Sequence, residues 1–582
     1  MSDSRPLAFL DSRFTKYVRP YAGRLVPVVL LSLVGTALSL VQPFLSKVLV
    51  DRALIGRDLG ALFWVVGGFL GLTAASLAVN VFSGLRYTRV SAEILFDMRL
   101  DVFRHLQRLS PRYFAATPIG QIASRINSDI AEIQRVSAEV ALAWIGQVVY
   151  LAGSVVMLVL LDARLFLVGL LALPAAIWAL VRYRRSLEGS VALVRDRSAG
   201  VGTFLIEALQ GMKLLVAHNA QRRSEDEFRQ RNEGFIQALM TMRRQTYLSG
   251  GLPGVLLAVG SSAVFLYGGW RVIAGEITMG TLVAFAAYQM RLLMPVQGLM
   301  GIYASIASAR VSLQRVNEIL ETHIDVSDAP GSVAPPRGAG AIDLENVHYF
   351  FDRGILLDGV TVQVAPRSCV AIIGASGGGK STIADLLVRQ ADPRVGTVRL
   401  DGVDLKALPL AFVRQEILAV ETDPFVFHAS LAMNLRIAAP DATDAELHEA
   451  LQAASLGEWV AATPTGLETV LGERGRAMSS GERQRLALAR AWLANPRVLI
   501  LDEATSALDA STEAAVFGAM RGWLRERTVV LITHRPQVAG LADRAIVLEG
   551  GRIVDDGVPA VLASSDGPFA RLFAGTATVA IP

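Results

Sequence analysis

The sequence has only one cysteine, Cys369, among its 582 residues, so a disulfide bond within the chain is impossible. Cys369 lies at the start of an apolar run, and we interpret it as a small buried residue rather than a reactive thiol. Lysine is also scarce, with 5 Lys against 51 Arg, which we ascribe to a GC-rich genome. The net charge of +4 is modest and gives no support for nucleic-acid binding.

Long apolar runs, by contrast, are abundant in the first half of the chain. Hydrophobic residues make up 52% of the sequence, and their excess lies almost wholly before residue 310. Six of the runs are long enough to cross a bilayer, and so many cannot all be core helices of a soluble protein. The sequence therefore predicts six membrane spans, near residues 26–50, 60–84, 138–161, 163–182, 248–270 and 278–301.

The connections between the predicted spans alternate between short and long. Those after the first, third and fifth spans are short, whereas the connections at 86–135 and 182–244 are long, helical in pattern and rich in arginine. Because cytoplasmic connections carry an excess of Lys and Arg, we expect both long connections and both termini to be cytoplasmic. Their tips are predicted at 113–120 and 207–212, where they could contact a cytoplasmic domain.

The first 25 residues lack the apolar core and the cleavage site of a secretory signal. Leu10, Phe14, Tyr17 and Tyr21 fall instead at helical spacing. This pattern predicts an amphipathic helix that lies in the membrane surface before the first span.

The composition changes after Glu321, where Pro and Gly become frequent. We interpret residues 1–321 as a transmembrane domain, 322–341 as an extended linker and 342–582 as a second domain. In the second domain, apolar strands at 370–373, 498–501 and 528–532 alternate with helical segments, which is typical of an α/β fold with a parallel sheet.

A glycine-rich segment follows the first of these strands and precedes a helical pattern. It matches G-x-x-x-x-G-K-[ST] from Gly374 to Ser381, the pattern of a loop whose backbone N–H groups surround phosphate oxygens. Lys380 is expected to reach the β- and γ-phosphates, and the Ser381 hydroxyl to bind Mg²⁺. The predicted ATP-binding residues here are Gly374, Ala375, Ser376, Gly377, Gly378, Gly379, Lys380, Ser381 and Thr382.

The strand at 498–501 ends in two carboxylates, Asp502 and Glu503. Asp502 is placed to hold Mg²⁺ through water, and Glu503 to polarise the water that attacks the γ-phosphate. An acidic pair alone is a weak signal. Together with the phosphate-binding loop about 120 residues earlier, it is a strong signal and predicts a nucleoside-triphosphate hydrolase with Glu503 as the catalytic base.

Between these two motifs, Met478-Ser479-Ser480-Gly481-Glu482 is similar to the signature L-S-G-G-Q of the ATP-binding cassette (ABC) transporters. The chain resembles an exporter-type half-transporter of this family, with membrane and ATPase parts fused, from about residue 15 to residue 570. The resemblance implies a six-helix transmembrane domain with long cytoplasmic helices, followed by an α/β P-loop ATPase domain. Thr469–Gly475 also resembles the exporter-specific loop T-x-V-G-E-x-G.

The resemblance implies further roles in ATP binding and hydrolysis. Asp509 matches the D-loop, His534 the switch histidine at the γ-phosphate, and Phe351 the aromatic residue that stacks on adenine. In the signature, Ser479, Ser480, Gly481 and Glu482 would complete the ATP site of an opposite subunit.

Two departures from the family pattern bear on coupling. Thr422 stands where the family has the glutamine of its Q-loop, with a hydroxyl for Mg²⁺ or water but a shorter reach, and neighbouring Glu421 is an alternative substitute. Ser480 and Glu482 replace a glycine and a glutamine of the signature. Such signature changes are common in the family where two different half-transporters pair.

By the resemblance, two chains enclose a cavity, and ATP is held between Lys380 of one chain and Ser479 of the other. The predicted function is ATP-driven export of an amphipathic small molecule, lipid or peptide across a bacterial cytoplasmic membrane. A homodimer is favoured and a heterodimer is the alternative; an importer or an ATP-gated channel are the other functions considered. Polar residues within the spans are candidates for substrate contact: Asn80, Gln147, Tyr288, Gln289 and Arg291.

Overall fold

The computed structural model of the chain describes residues 16–136, 141–171, 173–351, 354–375, 377–472 and 477–574. Two compact units account for the chain. The first comprises residues 1–104 and 120–321, and the second comprises residues 105–119 and 322–582. The second unit thus includes a short segment of the N-terminal half, which lies at the first predicted cytoplasmic tip.

Helices make up the described part of the chain before residue 322. In chain order they are α1 (Ala22–Val48), α2 (Leu59–Leu106), α3 (Pro111–Ala116), α4 (Ile119–Ser124), α5 (Ile130–Arg135), α6 (Ala141–Leu161), α7 (Ala163–Leu170), α8 (Leu173–Gln210), α9 (Met212–Ala217), α10 (Gln221–Ile273), α11 (Met279–Arg291) and α12 (Leu293–Glu321). Short π-helical turns at Leu49–Ile55 and Arg125–Asp129 continue α1 and join α4 to α5.

Six helical stretches are long and apolar enough to cross a membrane. They are Lys16–Ile55, Leu59–Leu106, Ala143–Leu161, Ala163–Tyr183, Gln221–Ile273 and Met279–Leu299. Two of them, of 48 and 53 residues, are far longer than the roughly 20 residues that cross a bilayer, so they extend well beyond it. The chain is a multi-pass membrane protein.

The short connections between spans are fixed by capping and ionic contacts. Asp51 accepts hydrogen bonds from the Gly280 backbone N–H at 2.8 Å and the Thr278 hydroxyl at 2.6 Å, at the start of α11. Asp162 caps α7 and also receives the Arg271 guanidinium at 2.6 Å. Charged side chains therefore tie the ends of the first, third and fifth spans to their neighbours.

The intramembrane polar residues have different surroundings. Arg291 donates to the Gln42 side chain at 3.2 Å and Tyr288 donates to the Leu40 carbonyl, so both pair with α1. Asn80 donates to Ser76 on its own helix at 3.4 Å. Within the described residues, the side-chain oxygen of Gln147 and the side-chain nitrogen and oxygen of Gln289 lie buried without a hydrogen-bond partner.

The N-terminal residues Leu10 and Phe14 lie outside the described part of the chain. The Tyr17 and Tyr21 hydroxyls donate to Asp101 at 3.0 Å and to Asp97 at 2.8 Å. Both acceptors lie on one face of α2, so these contacts hold the start of the described chain against that helix.

The second unit contains two sheets. The antiparallel sheet has strand order β2-β1-β4-β5, and the larger sheet has order β10-β9-β3-β8-β7-β6. Its strands are β1 (Ile342–Phe351), β2 (Gly354–Val364), β3 (Cys369–Ile373), β4 (Val395–Leu400), β5 (Val403–Asp404), β6 (Ile417–Val420), β7 (Val498–Asp502), β8 (Thr528–Ile532), β9 (Arg544–Glu549) and β10 (Arg552–Gly557).

The helices of the second unit connect and cover these strands. After α3 of the first tip they are α13 (Lys380–Leu387), α14 (Leu410–Glu416), α15 (Leu431–Arg436), α16 (Asp444–Ala453), α17 (Gly457–Ala461), α18 (Ser480–Ala494), α19 (Ala510–Arg525), α20 (Pro536–Ala539), α21 (Pro559–Ser564) and α22 (Pro568–Ala574).

The central strands of the larger sheet are buried on both faces. In β7, Val498 and Ile500 pack toward the antiparallel sheet, while Leu499 and Leu501 pack toward the helices. The same alternation holds in β3, β8 and β9. A strand covered on both faces reads as a continuous apolar run, which is why these strands stand out in the sequence.

Parallel pairing brings the functional loops to one edge of the sheet. β8 lies between β3 and β7, and Ile532 pairs with both Ile372 and Asp502. The loops that begin at Gly374, Glu503 and Thr533 therefore leave the sheet side by side.

At the opposite end of β3, burial raises the pKa of the Cys369 thiol to about 12, so this thiol stays protonated at neutral pH.

Candidate nucleotide-binding site

The phosphate-binding loop runs from the end of β3 to the start of α13. Gly377 and Gly379 adopt left-handed backbone angles, with φ of +80° and +94°. A Cβ atom at Gly379 would lie 2.7 Å from the Leu356 carbonyl oxygen, and one at Gly374 would lie 2.2 Å from that of Leu548. Only glycine fits these two positions, since other residues would both clash and strain the turn at Gly379. Ser376 lies outside the described residues.

Lys380 is the first residue of α13 and is buried, with 8% of its surface exposed. Its ammonium donates to the Gly374 and Ala375 carbonyl oxygens, both at 2.9 Å. These contacts hold the charge over the loop, beside the N–H groups of the helix N-terminus. Positive charge and backbone donors thus lie together at the phosphate-binding loop, as the binding of a polyphosphate requires.

Ser381 and Asp502 meet where α13 approaches the end of β7. The Ser381 hydroxyl hydrogen-bonds to the Asp502 carboxylate. Burial raises the pKa of Asp502, the neighbouring Glu503 charge raises it further, and the Ser381 hydrogen bond and Lys380 lower it. The pair offers a hydroxyl and a carboxylate oxygen, the hard oxygen ligands that suit Mg²⁺.

Glu503 follows directly and has an uncommon backbone conformation, with φ of +49°. Its N–H donates to the Ile532 carbonyl at 2.9 Å, which extends the β7–β8 pairing by one residue. Its carboxylate lies 2.9 Å from Nδ1 of His534, and 29% of the Glu503 side chain is exposed. The strained turn therefore presents the carboxylate at the open edge of the sheet, next to the histidine.

Thr422 follows β6 in the same cluster of loops. Its hydroxyl donates to the Asp502 backbone carbonyl at 3.1 Å. The side chain thus lies beside the proposed Mg²⁺ ligand but contacts its backbone, not its carboxylate. The role of Thr422 as a metal ligand stays a prediction.

The signature segment forms the start of α18. Ser479 is the N-cap and accepts the Glu482 N–H at 3.2 Å, while the Glu482 carboxylate accepts the Ser479 N–H at 2.7 Å. This is a reciprocal capping box, which a glutamate forms as well as the family's glutamine does. Gly481 lies against the next loop, since a Cβ there would be 3.1 Å from the Ala507 carbonyl oxygen. Ser480 is the first residue of the helix and is exposed.

Asp509 and Phe351 occupy the ends of two elements. Asp509 caps α19 by accepting hydrogen bonds from the backbone and hydroxyl groups of Ser511 and Thr512, which lowers its pKa well below the usual range. Phe351 is the last residue of β1 and pairs with Gly354. Its role in adenine stacking stays a prediction. Residues 473–475 of the exporter-specific loop lie outside the described residues.

Two further residues contact this site and carry no role in the sequence analysis. Gln484 on α18 is buried, with 1% of its surface exposed, and its amide contacts two loops of the site, those that follow β6 and β7. Arg112 on α3 lies 3.6 Å from Asp385 of α13, and its guanidinium lies 4.4 Å from the centre of the Tyr349 ring. A polar residue within the otherwise apolar buried face of α18 could have singled out Gln484, but no local pattern points to Arg112.

The raised pKa of Asp502 leads to a stability prediction. Since burial disfavours its charged form, the ionised carboxylate destabilises the nucleotide-free fold at neutral pH, and this cost disappears as the pH falls below the folded pKa. We expect Asp502→Asn, without nucleotide, to unfold at the same or a higher temperature than the wild type at pH 8, with the difference shrinking toward acidic pH. Calorimetry would measure the difference in unfolding temperature between the two proteins at each pH. A variant that unfolds several degrees lower at pH 8 would contradict the assigned cause of the shift.

A membrane-spanning helical unit and a P-loop ATPase unit on one chain define a membrane-embedded ATPase. The ABC transporter transmembrane region matches residues 25–296, and the ABC transporter ATPase model matches residues 357–506. The chain is 31% identical over 572 residues to the ABC transporter ATP-binding protein YknV of Bacillus subtilis, which covers 98% of this chain and 95% of that protein. It therefore belongs to the ABC transporter family.

Two other comparisons specify the type of transporter. An ATP-dependent lipid A-core flippase of Syntrophus aciditrophicus is 27% identical over 560 residues, or 96% of this chain and 93% of that protein. The solved structure of a bacterial Atm1-family ABC exporter with ATP bound has a TM-score of 0.79 and 27% identity, and the match covers 97% of this chain and 99% of that one. The chain is an exporter-type half-transporter that couples ATP hydrolysis to transport, and its fold implies pairing with another half-transporter.

Proposed function

We propose that the protein exports an amphipathic small molecule, lipid or peptide across the bacterial cytoplasmic membrane, as a dimer of half-transporters with both termini and the ATPase domain in the cytoplasm. The observation that carries this proposal is the membership of residues 105–119 in the ATPase unit. Helix α2 is one of the candidate spans and runs without a break to Leu106, where this segment begins. A membrane helix and a part of the ATPase unit are thus mechanically continuous.

The segment is held by its own side chains. The Ser110 hydroxyl donates to Asp325 at 2.9 Å, and the His105 imidazole lies 3.2 Å from the Thr322 carbonyl oxygen. Arg112 adds the ion pair to Asp385, which lies on the helix that begins with Lys380. A shift of α13 on nucleotide binding would therefore act directly on the end of α2.

For hydrolysis, we assign Lys380 and the loop N–H groups to the phosphates and Glu503 to the attacking water. Mg²⁺, held by Ser381 and Asp502, would neutralise charge on the β- and γ-phosphates. His534 holds the Glu503 carboxylate at 2.9 Å and is placed to contact the γ-phosphate. Ser479, at the N-terminus of α18, would bind the nucleotide held by the partner, since its hydroxyl and the helix N–H groups form an anion-binding end.

The cargo is proposed from the chemistry of the spans. They are mostly apolar, which suits a molecule with an apolar body, and the relative named as a flippase acts on a lipid. Arg291 provides a cation at the Gln42 contact that could meet an anionic headgroup. A homodimer is the simplest assembly, because Lys380, Asp502, Glu503 and His534 are all present in this chain.

The ion pair of Arg112 provides a test of coupling. We expect Arg112→Ala to keep basal ATP hydrolysis but to lose most of its stimulation by cargo, because a contact of about 1 kcal/mol between α3 and α13 is removed. ATPase assays in nanodiscs with and without cargo would measure the ratio. The exposed Arg108 on the same segment gives a matched control, Arg108→Ala. Equal stimulation of the Arg112→Ala variant and the control would rule out this contact as a coupling element.

The proposed function itself is tested by purifying the chain in nanodiscs and measuring Mg²⁺-dependent ATP hydrolysis against a panel of amphipathic lipids, peptides and drug-like cations. We expect basal hydrolysis, with stimulation by at least one class. Basal hydrolysis that none of these three classes stimulates would contradict an amphipathic cargo. Hydrolysis only after addition of a second, different half-transporter would support the heterodimer over the homodimer.

A further inference from the structure

Gln484 lies five residues after the signature serine, on the buried face of α18. Its Nε2 donates to the Thr422 carbonyl oxygen at 2.8 Å and to the Ser506 hydroxyl at 3.1 Å, and lies 3.4 Å from the Glu503 carbonyl oxygen. Its Oε1 accepts the Ala507 N–H at 3.0 Å. One side chain thus bridges the loops that follow β6 and β7, and it adds to the hydrogen bond from the Thr422 hydroxyl to the Asp502 carbonyl oxygen.

The orientation of this amide is fixed by its partners. The Ala507 N–H can only donate, so it requires the amide oxygen on that side. The Thr422 and Glu503 carbonyl oxygens can only accept, so they require the NH₂ group on the other. A glutamate would place an oxygen against those carbonyls. A methionine would remove all of these hydrogen bonds, and among the described residues only the Glu503 carbonyl oxygen would keep another donor, the Ser506 N–H at 3.0 Å.

The contacts of Gln484 connect two functional segments: the loops of the chain's own ATP site and the signature segment at the start of α18. Toward its own chain, it holds Thr422, whose hydroxyl contacts Asp502, and the backbone of the proposed base Glu503. Toward the signature, it is fixed to the same helix as Ser479, and Gly481 packs against the Ala507 carbonyl beside it. Any displacement of α18 must therefore move the loop that carries the catalytic base.

We propose that Gln484 is a positioning residue that links the two ATP sites of the dimer: binding of the partner's nucleotide at Ser479 sets the position of Glu503 in the chain's own site. This inference rests on the proposed pairing of two chains. The Thr422 side chain is too short to reach far into the site. Gln484 holds the loop that carries Thr422 by a hydrogen bond to the Thr422 backbone carbonyl oxygen. The residue acts through Glu503 and does not itself touch the nucleotide.

The test compares Gln484→Glu and Gln484→Met with the wild type and with Gln452→Glu, a control at an exposed position of the same domain. ATPase rates would be measured against ATP concentration in nanodiscs between pH 6 and pH 8. We expect a wild-type Hill coefficient above 1 that falls toward 1 in both Gln484 variants, with kcat lowered roughly tenfold or more and ATP affinity kept.

The pH profile separates positioning from packing. A buried glutamate facing two carbonyl oxygens favours its protonated form, which can donate like the amide. The activity of Gln484→Glu relative to the wild type should therefore rise as the pH falls, whereas that of Gln484→Met should stay low at every pH. A methionine variant that loses kcat with an unchanged Hill coefficient, or variants that match Gln452→Glu, would overturn the inference alone. A wild type without ATPase activity would overturn the proposed function with it.

Discussion

Glu503→Gln is expected to bind ATP as tightly as the wild type and to hydrolyse it roughly 10²–10⁴ times more slowly. The amide keeps the size of the side chain and can still accept from His534, now 2.9 Å from the carboxylate, so the phosphate-binding groups stay in place. What is lost is the negative charge that polarises the attacking water. The variant should accumulate the ATP-bound state.

ATP binding and ATP turnover must be measured separately to interpret the Glu503→Gln variant. Fluorescent nucleotide titration gives the affinity, and phosphate release gives the rate. Glu526→Gln, at the exposed end of α19, is a matched control that should behave as wild type in both assays. A Glu503→Gln protein with wild-type phosphate release would remove Glu503 from the role of base.

Lys380→Ala, unlike Glu503→Gln, should impair mainly ATP binding. We expect its ATP affinity to be lowered roughly 10- to 100-fold, because charge-assisted hydrogen bonds to phosphate are lost. The substitution also leaves the Gly374 and Ala375 carbonyl oxygens without their donor, so the loop loses both its charge and its internal support. At a given ATP concentration, turnover would fall mainly because less nucleotide is bound.

A control for the lysine variant is available in the same domain. Lys406 donates to the Pro393 carbonyl oxygen at 3.2 Å, away from the site, so Lys406→Ala should bind ATP normally. Titration of both variants by the same fluorescent nucleotide gives the comparison. If Lys380→Ala kept wild-type affinity, the nucleotide would have to bind elsewhere on the chain.

Much of the ATPase fold could be predicted from the sequence because its signals are local. The buried parallel strands read as apolar runs, and the phosphate-binding loop carries glycines at the positions where a Cβ would clash, such as Gly374 and Gly379. In the sequence, Ser480 and Glu482 are departures from the signature that bear on coupling, whereas in the structure Glu482 completes a capping box with Ser479. The substitution has a local structural role that motif comparison alone does not reveal.

Other parts of the site depend on contacts between residues far apart in the chain. Nothing near Gln484 in the sequence indicates that it holds Thr422, 62 residues away, and Arg112 meets Asp385 only because residues 105–119 belong to the ATPase unit. The left-handed backbone at Glu503 is also set by the sheet edge, since a glutamate has no preference for it.

The membrane half illustrates the same limit. Composition predicts six spans, and the chain has six candidate membrane helices. The partners of the intramembrane polar residues could not be predicted, because a hydropathy pattern does not indicate which helices are neighbours. Arg291 and Tyr288 both pair with α1, while both amide atoms of Gln289, among the residues described, lie buried without a hydrogen-bond partner.

The most direct measurement is ATP-dependent movement of a fluorescent amphipathic lipid between the leaflets of proteoliposomes, with wild-type protein and Glu503→Gln compared side by side. Hydrolysis at the Lys380 and Glu503 site predicts rapid movement with wild type and ATP, and none beyond background with the variant or with ATP omitted. Equal movement by the two proteins in the presence of ATP would contradict the coupling of this site to transport.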